Sequence, residues 1–395
     1  MRRLVPYLLL LFLIAAVLRV DFFFTIVYLL FTVTLLSRLW TRRVSGQLRA
    51  ERSFVNRAFS GDQLRLRLTV RNDGWLPVPW LHVHESLPVE LTTPPSLREV
   101  ISLGPQGRHA FTTTLDCRRR GYYDIGPLRL QAGDLLGLVG PRRVEMRSEY
   151  CIVYPRVLPL QELGLPTRSP LVALSAPTPL FEDPARIMGV RDYRQGDSPR
   201  RIHWTATASA GQLLVKQYEP SIARETLVCL DLTLENYEGR RRYTATELAI
   251  VVAASIAHHV VVNEGLPVGL ATEGWDPLAE TRARFFLPPR SGRAQLMGLL
   301  EVLARIEVAE VTPFPDLLRR ESVNLPWGAT LTVIAGRESE ALFDTLVYLR
   351  RAGFAVALIL VQPAYVSADL RGRADLLGMP VHHVWQEVLS FPHEG

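Results

Sequence analysis

The sequence predicts a multidomain protein: an N-terminal transmembrane helical hairpin, an antiparallel β-sandwich-like domain, and a C-terminal α/β domain of Rossmann-like, doubly wound type. Three observations carry that prediction. Residues 4–18 and 22–36 are charge-free apolar runs; residues 44–160 switch to a period of two; and from residue 224 onward short apolar runs alternate with helix-length segments. A length of 395 residues with 48% hydrophobic and 21% charged composition fits two or three folded domains and excludes a disordered or collagen-like chain. The divisions fall at 1–43 for the hairpin, 44–160 for the sandwich-like domain, 161–222 for a connecting segment and 223–395 for the α/β domain.

The formal charge of +6 is concentrated at the amino terminus, where residues 1–43 hold six arginines against Asp21. The rest of the chain is nearly balanced. The excess therefore lies beside apolar sequence, which points to a lipid bilayer and away from nucleic acid. Arg2 and Arg3 precede the first apolar run, Arg38, Arg42 and Arg43 follow the second, and Arg19-Val20-Asp21 makes the turn. The positive-inside bias then puts both ends, and the bulk of the protein, in the cytoplasm. Each run is shorter than the roughly 20 residues of a comfortable span, so a re-entrant hairpin in one leaflet stands beside the spanning one. Cys117, Cys151 and Cys229 have no metal-type spacing.

In the middle region, Gln63-Leu64-Arg65-Leu66-Arg67-Leu68-Thr69-Val70 alternates polar and apolar, placing the leucines on one face of a half-buried strand. Further strands are expected at residues 80–85, 99–103, 110–115, 128–131 and 150–153, with Pro and Gly clusters between them. The charged stretch 118–127 reads as a solvated turn, with contact to phospholipid heads or a partner as the alternative.

Residues 189–219 are the most informative segment. Ser198 as N-cap, Pro199 at the first helical position and Gly211 as a stop predict a helix over 199–210. A strand over 213–218 follows, with Leu213, Val215 and Gln217 on one face and Leu214, Lys216 and Tyr218 on the other. Arg191, Arg194, Arg200 and Arg201 lie close in sequence to Asp192 and Asp197, enough to pin a loop by bidentate ion pairs. Lys216 is the single lysine among 45 basic residues, and an ammonium is a compact point charge that arginine does not mimic. A catalytic reading makes His203 a base oriented by Asp192 or Asp197, with Ser198, Ser209 or Thr205 as nucleophile. The segment has no Gly-flanked nucleophile elbow, however, so His203-Trp204 reads better as packing.

The pattern Gly189-x-Arg191-x-Tyr193-x-x-Gly196-Asp197-x-x-Arg200-x-Ile202-His203-Trp204-x-Ala206-x-Ala208, followed by Leu214-Val215-Lys216-x-Tyr218-Glu219, resembles the membrane-anchored bacterial proteins of domain of unknown function 58 (DUF58). Arg119-Arg120-Gly121-x-Tyr123-x-x-Gly126-Pro127 and Asp134-Leu135-x-Gly137-Leu138 are similar to the same family. The resemblance implies a β-sandwich-like region followed by a von Willebrand factor A-like domain, and frequent company with MoxR-type AAA+ ATPases. It implies no known reaction.

The α/β reading agrees independently. Strands are expected at 226–231, 266–272, 330–335 and 355–361, helices at 245–263, 293–306 and 338–351, with Gly353 closing the last. Ligands of such sheets sit at the carboxyl ends of strands, here Asp231, Thr272 and Arg337. Asp231-Leu232-Thr233-Leu234-Glu235 stands where A-type domains carry an oxygen-ligand metal motif, so Mg2+ at Asp231, Thr233 and Glu235 is one expectation and a degenerate site the other. His258-His259 and His382-His383 read as packing or surface.

The function expected is a non-enzymatic assembly protein of the bacterial inner membrane. Arg191, Asp192, Tyr193, Arg194, Asp197, Arg200, His203, Trp204, Lys216 and Glu219 form its partner-binding or structural polar patch, and a MoxR-type ATPase is the partner implied by the resemblance. No cofactor beyond the Mg2+ is expected. Two rivals remain: a hydrolase or transferase acting on envelope precursors through His203 and Asp197, with Lys216 holding an anionic group, and a metal-dependent adhesion module at Asp231.

Overall fold

The computed structural model describes residues 21–134, 141–167, 182–194, 202–220, 225–237, 239–362 and 366–385. The chain divides into two compact units, one running to Arg156 and the other from Val157.

In the first unit, the second apolar run forms helix α1 (Asp21–Gln47), which continues eleven residues past the end of that run, while the first run lies outside the described residues. Only 11% of its most apolar window, within Phe24–Gln47, is buried. A helix with so little of its apolar surface covered leaves that surface for lipid or protein. Its last turns are rooted in the sandwich: Trp40 and Val44 pack into a cluster with Leu68, Leu81 and Leu130, and the Trp40 indole N–H donates to Pro77 O at 3.2 Å.

The strands that follow are β1 (Leu48–Ser53), β2 (Arg57–Phe59), β3 (Gln63–Asn72), β4 (Val78–Ser86), β5 (Ser96–Leu103), β6 (Arg108–Asp116), β7 (Gly121–Ile125), β8 (Leu128–Gly133), β9 (Arg142–Met146) and β10 (Glu149–Tyr154). They form three sheets, ordered β1-β3-β6, β2-β10-β7 and β5-β4-β8-β9. Leu68 and Val70 of β3 share a cluster with Leu81 and Val83 of β4, whereas Leu64 and Leu66 share another with Ile125 and Val153. The inward face of β3 thus serves both neighbouring sheets, and each buried leucine there contributes roughly 1.5–3 kcal/mol. All six expected strands are present. The stretch 118–127 is a correction: it contains β7, paired antiparallel with β10, and the Tyr123 hydroxyl donates to Arg119 O at 2.9 Å.

The second unit opens with β11 (Glu182–Asp192), α2 (Trp204–Ala210) and β12 (Leu214–Pro220), then continues through β13 (Thr226–Leu230), α3 (Arg242–His258), β14 (Val268–Asp276), β15 (Thr281–Arg290), α4 (Arg293–Arg305), α5 (Phe314–Ser322), β16 (Thr330–Ala335), α6 (Glu340–Arg351), β17 (Ala355–Leu360), α7 (Ala368–Leu376) and β18 (Val381–His383). The main sheet is ordered β15-β14-β13-β16-β17-β18, parallel except for the antiparallel edge strand β15. The first strand lies at its centre, so the direction of winding reverses between β13 and β16. Leu227, Cys229, Leu331, Val333, Val356 and Leu358 face α5, α6 and α7 in one core cluster, while α3 packs against β13 and β16 and α4 against β14.

Helix α3 is buried along one continuous run from Ala245 to Ala257, which explains its apolar composition on every side. The span Gly239–Asn263 is long and apolar enough to cross a membrane, yet 78% of its most apolar window is covered. Part of the cover is the segment after Val157: Leu160 and Leu163 are buried, and Leu158 N–H donates to Ser255 Oγ at 2.9 Å.

Candidate functional site

Strand β12 is sandwiched between two partners. On one side β11 pairs with it in the register Val190↔Lys216, Arg191↔Val215 and Asp192↔Leu214. On the other, Ile202 bridges Val215 and His203 N–H donates to Leu214 O at 2.8 Å. The chain is therefore extended as far as His203, and the helix starts at Trp204. The expected helix over 199–210 is corrected accordingly, since a residue bridged to a strand cannot also contribute to an α-helical ladder. Ser198, the expected cap, lies outside the described residues. His203 takes that position: its Nδ1 accepts from Ala206 N–H at 3.2 Å. The expected stop holds, with Gly211 in the left-handed region at φ 69° and its N–H on Thr207 O.

This arrangement engages three of the groups that catalysis would need, His203, Asp192 and Ser209. An Nδ1 that accepts from a backbone N–H carries no proton and has its lone pair engaged. Ser209 Oγ donates to Thr205 O at 3.0 Å, and Thr207 Oγ1 accepts from Leu214 N–H at 3.0 Å. Asp192 Oδ1 accepts from Gln212 Nε2 at 3.0 Å, and the Arg191 guanidinium donates to Asp192 O at 3.1 Å. By register, Asp192, Leu214 and His203 stand in one cross-strand row, with Val190 and Lys216 two positions along on the same face. Glu219 pairs in register with Asp183, while Asp197 and Arg200 lie outside the described residues.

The outer surface here is apolar and cationic. Trp204 is 67% exposed, Leu213, Val190 and Tyr193 are also exposed, and Arg191 and Arg194 stand among them. The expected alternation of β12 breaks at its start: Leu214 and Val215 are both buried, because α2 covers one face while Ile202 lies across from the other.

A second group of residues lies at the carboxyl end of β13, where the winding reverses. Asp231 is almost fully buried; its Oδ1 accepts from Thr233 N–H at 2.9 Å and its Oδ2 from Asn236 Nδ2 at 2.7 Å. The Tyr237 hydroxyl donates to Asp231 O at 2.7 Å. Burial pushes the Asp231 carboxyl up to about 6 despite hydrogen bonds from Thr233 and Asn236 that favour its ionised form. The same burial, with the Asp231 charge beside it, raises the Tyr237 phenol. Thr233 is half-buried and bridged to Ala309, whereas Glu235 is exposed on the turn Leu234–Asn236. A divalent cation at these oxygens has to displace the Asn236 amide, and among the described residues no cluster of three or more His, Cys, Asp or Glu side chains is arranged to hold a metal.

Thr272 is not at a strand end, because β14 runs on to Asp276, and Arg337 is exposed beyond β16. Asn236, Tyr237 and the strap around Ala309 went unanticipated. The strap pairs with both strands: Ala309 N–H donates to Leu232 O, and Trp275 exchanges backbone hydrogen bonds with Glu307. The Asp-x-Thr spacing was the available signal, as an aspartate readily accepts from the backbone two residues on.

A central-first doubly wound sheet preceded by an arginine- and tryptophan-bearing hairpin defines the class of this chain. The resemblance seen in its signature holds: residues 189–318 match the family described as "Protein of unknown function DUF58". The uncharacterized protein YeaD of Bacillus subtilis (strain 168) is 24% identical over 267 residues, an alignment spanning 66% of this chain and 63% of YeaD. Among solved structures, the CARDB domain of the PF1109 protein from Pyrococcus furiosus matches 27% of this chain and 91% of its own at 16% identity and a TM-score of 0.21. The C-terminal domain of wzt matches 28% of this chain and 75% of its own at 11% identity and the same TM-score of 0.21. At such scores neither bears on the fold.

Proposed function

We propose that this chain is a membrane-anchored, non-enzymatic assembly protein. The helical hairpin holds it in the bacterial inner membrane with its bulk in the cytoplasm, and the doubly wound sheet is a von Willebrand factor A-like domain. The signature hairpin docks a protein partner, for which a MoxR-type AAA+ ATPase is the candidate that the family resemblance brings forward.

The observation that supports this best is the exposure of Trp204 at the head of α2, with Tyr193, Leu213 and the arginines Arg191 and Arg194 close by in the same three-ply unit. Exposed tryptophan and arginine are the side chains that dominate protein interfaces. A hydrolase using His203 is disfavoured because Nδ1 is engaged as a cap.

The test is affinity recovery of the full-length chain from membranes, with a co-expressed MoxR-type ATPase detected by immunoblot. Alanine at Arg191, Asp197 and Trp204 should abolish recovery while the chain stays folded and in the membrane. Undiminished recovery from a folded triple variant refutes the docking role. Turnover of any envelope precursor that is lost in His203→Ala refutes the non-enzymatic reading.

A further inference from the structure

The amino end of the main sheet carries a surface that the docking of a partner at the hairpin leaves unused. Helices α5 and α6 both end there, and between them lies a cleft of about 510 Å³ whose walls include Val323, Leu325, Trp327, Tyr348 and Phe354, with Arg319 at the rim. Much of that apolar lining faces water: Val323 is 82% exposed, Tyr348 61% and Trp327 50%. The Trp327 indole rests on Gly353, where a Cβ would strike the ring.

The charge around this cleft is basic on balance. Residues 316–327 and 344–354 contain Arg319, Arg320, Arg350 and Arg351 against Asp316, which pairs with Arg319 at 3.4 Å, the exposed Asp344, and Glu321, which is buried and paired with Arg284. Arginines in the last turns of α5 and α6 complement the negative ends of those helices. That accounts for the arginines and leaves the exposed tryptophan, tyrosine and valine beside them unexplained. Amphipathic aromatic rings beside arginines are the pairing that settles at the headgroup level of a bilayer, where anionic lipid attracts the guanidinium groups and the rings enter the acyl boundary. The same chain carries the apolar, largely uncovered span Phe24–Gln47.

We propose that this amino-end surface docks on an anionic phospholipid bilayer, with Trp327, Val323 and Tyr348 entering the interface and Arg320, Arg350 and Arg351 meeting the headgroups. The carboxyl end of the same sheet, where the exposed Glu235 lies, then points to the aqueous side.

The experiment places an environment-sensitive nitrobenzoxadiazole label at Val323→Cys in the full-length chain, reconstituted in vesicles of phosphatidylcholine alone or mixed with phosphatidylglycerol. Cys117, Cys151 and Cys229 are buried, so labelling goes to the introduced thiol. In the anionic vesicles the label should shift to the blue and be quenched by spin-labelled lipid; in phosphatidylcholine it should not. Each arginine near an anionic surface is worth roughly fivefold in partitioning, so Arg320→Glu with Arg351→Glu, both exposed positions, should lower the docked population on the order of 25-fold or more. A label at Glu235→Cys, at the other end of the sheet, should stay in water throughout. A Val323 label that stays aqueous in both lipids while the chain remains in the vesicles overturns the docking and leaves membrane anchoring intact. Shielding that scales with protein concentration without lipid quenching overturns it in favour of a second copy, and shielding only on adding an acidic peptide overturns it in favour of a protein.

Discussion

Asn236 Nδ2 donates to Asp231 Oδ2 at 2.7 Å, closing a loop of five residues over a carboxylate that is almost wholly out of water. The bond makes the ionised form tolerable without making it favourable, because burial still holds the carboxyl at about 6. An unfolded aspartate ionises near pH ~3.9. Between those two values the folded chain holds a proton that the unfolded chain has lost, so stability falls as pH rises through that window. Asp231→Asn removes the titration. Relative to that variant, the wild type should lose about 1–3 kcal/mol between pH 4 and pH 7, read as diverging thermal unfolding midpoints in detergent. Parallel curves would mean that Asp231 is not buried as an acid.

His203 offers a prediction that separates a cap from a base. Loss of a side-chain acceptor at an N-cap costs about 1 kcal/mol, and asparagine is among the best substitutes. His203→Ala should therefore destabilise the chain by about that amount, and His203→Asn should restore stability together with recovery of the proposed partner. A general base would not be rescued by an amide that cannot take up a proton. Chemical denaturation of both variants, measured beside partner recovery, gives the answer.

The elements legible in the sequence are those whose burial follows a local period. Leu64, Leu66, Leu68 and Val70 are buried between the exposed Gln63, Arg65 and Arg67, as the alternation of β3 requires. Strand β16 begins and ends where its apolar run does. What escaped depends on partners distant in sequence. Strand β11 carries Pro184 and several charges, and only its pairing with β12 makes it a strand. Strand β15 contains Pro288 and Pro289, tolerated because it is an edge strand with one partner. The start of α2 was misplaced because Ser198-Pro199 is a good local signal, and the bridge from Ile202 to Val215 overrides it. Of the candidate site, Asp231 and Thr233 were foreseeable from their spacing; Asn236 was not, because its reach back depends on the short 3-10 turn that follows.

Gly336 follows β16 at the point where the two sides of the winding reversal meet. A Cβ there would lie 2.5 Å from Asn236 O, a backbone atom, and equally close to the Tyr237 ring. Neither neighbour swings aside easily, since the Tyr237 hydroxyl is bonded to Asp231 O. Gly336→Ala should cost about 1–3 kcal/mol, as overpacked sites do. It should also loosen the Asn236 bond, so the divergence from the Asp231→Asn variant with pH should widen. Gly372→Ala, inside α7 where a Cβ meets nothing within 4 Å, is the control and should raise the midpoint slightly through helix propensity, never lower it.

Arg52 and Glu85 form an ion pair in the sandwich at 2.6 Å, with neither side chain exposed. Arg52 also reaches Glu149 at 3.0 Å and Arg147 O at 3.2 Å, which spreads its donors over three acceptors. Burial raises the Glu85 carboxyl although the Arg52 charge and hydrogen bond oppose it, so desolvation outweighs attraction at this site. Removing one partner strands the other charge. Arg52→Ala should therefore cost about 3–5 kcal/mol, whereas Glu149→Ala, whose side chain is half exposed, should cost under about 1 kcal/mol. Replacing both buried members, Arg52→Met with Glu85→Leu, should recover most of the loss, because the pair is held against a desolvation cost that two apolar side chains do not incur. Denaturant midpoints of the three variants test this; a double variant no more stable than Arg52→Ala would show that the fold needs the charges themselves.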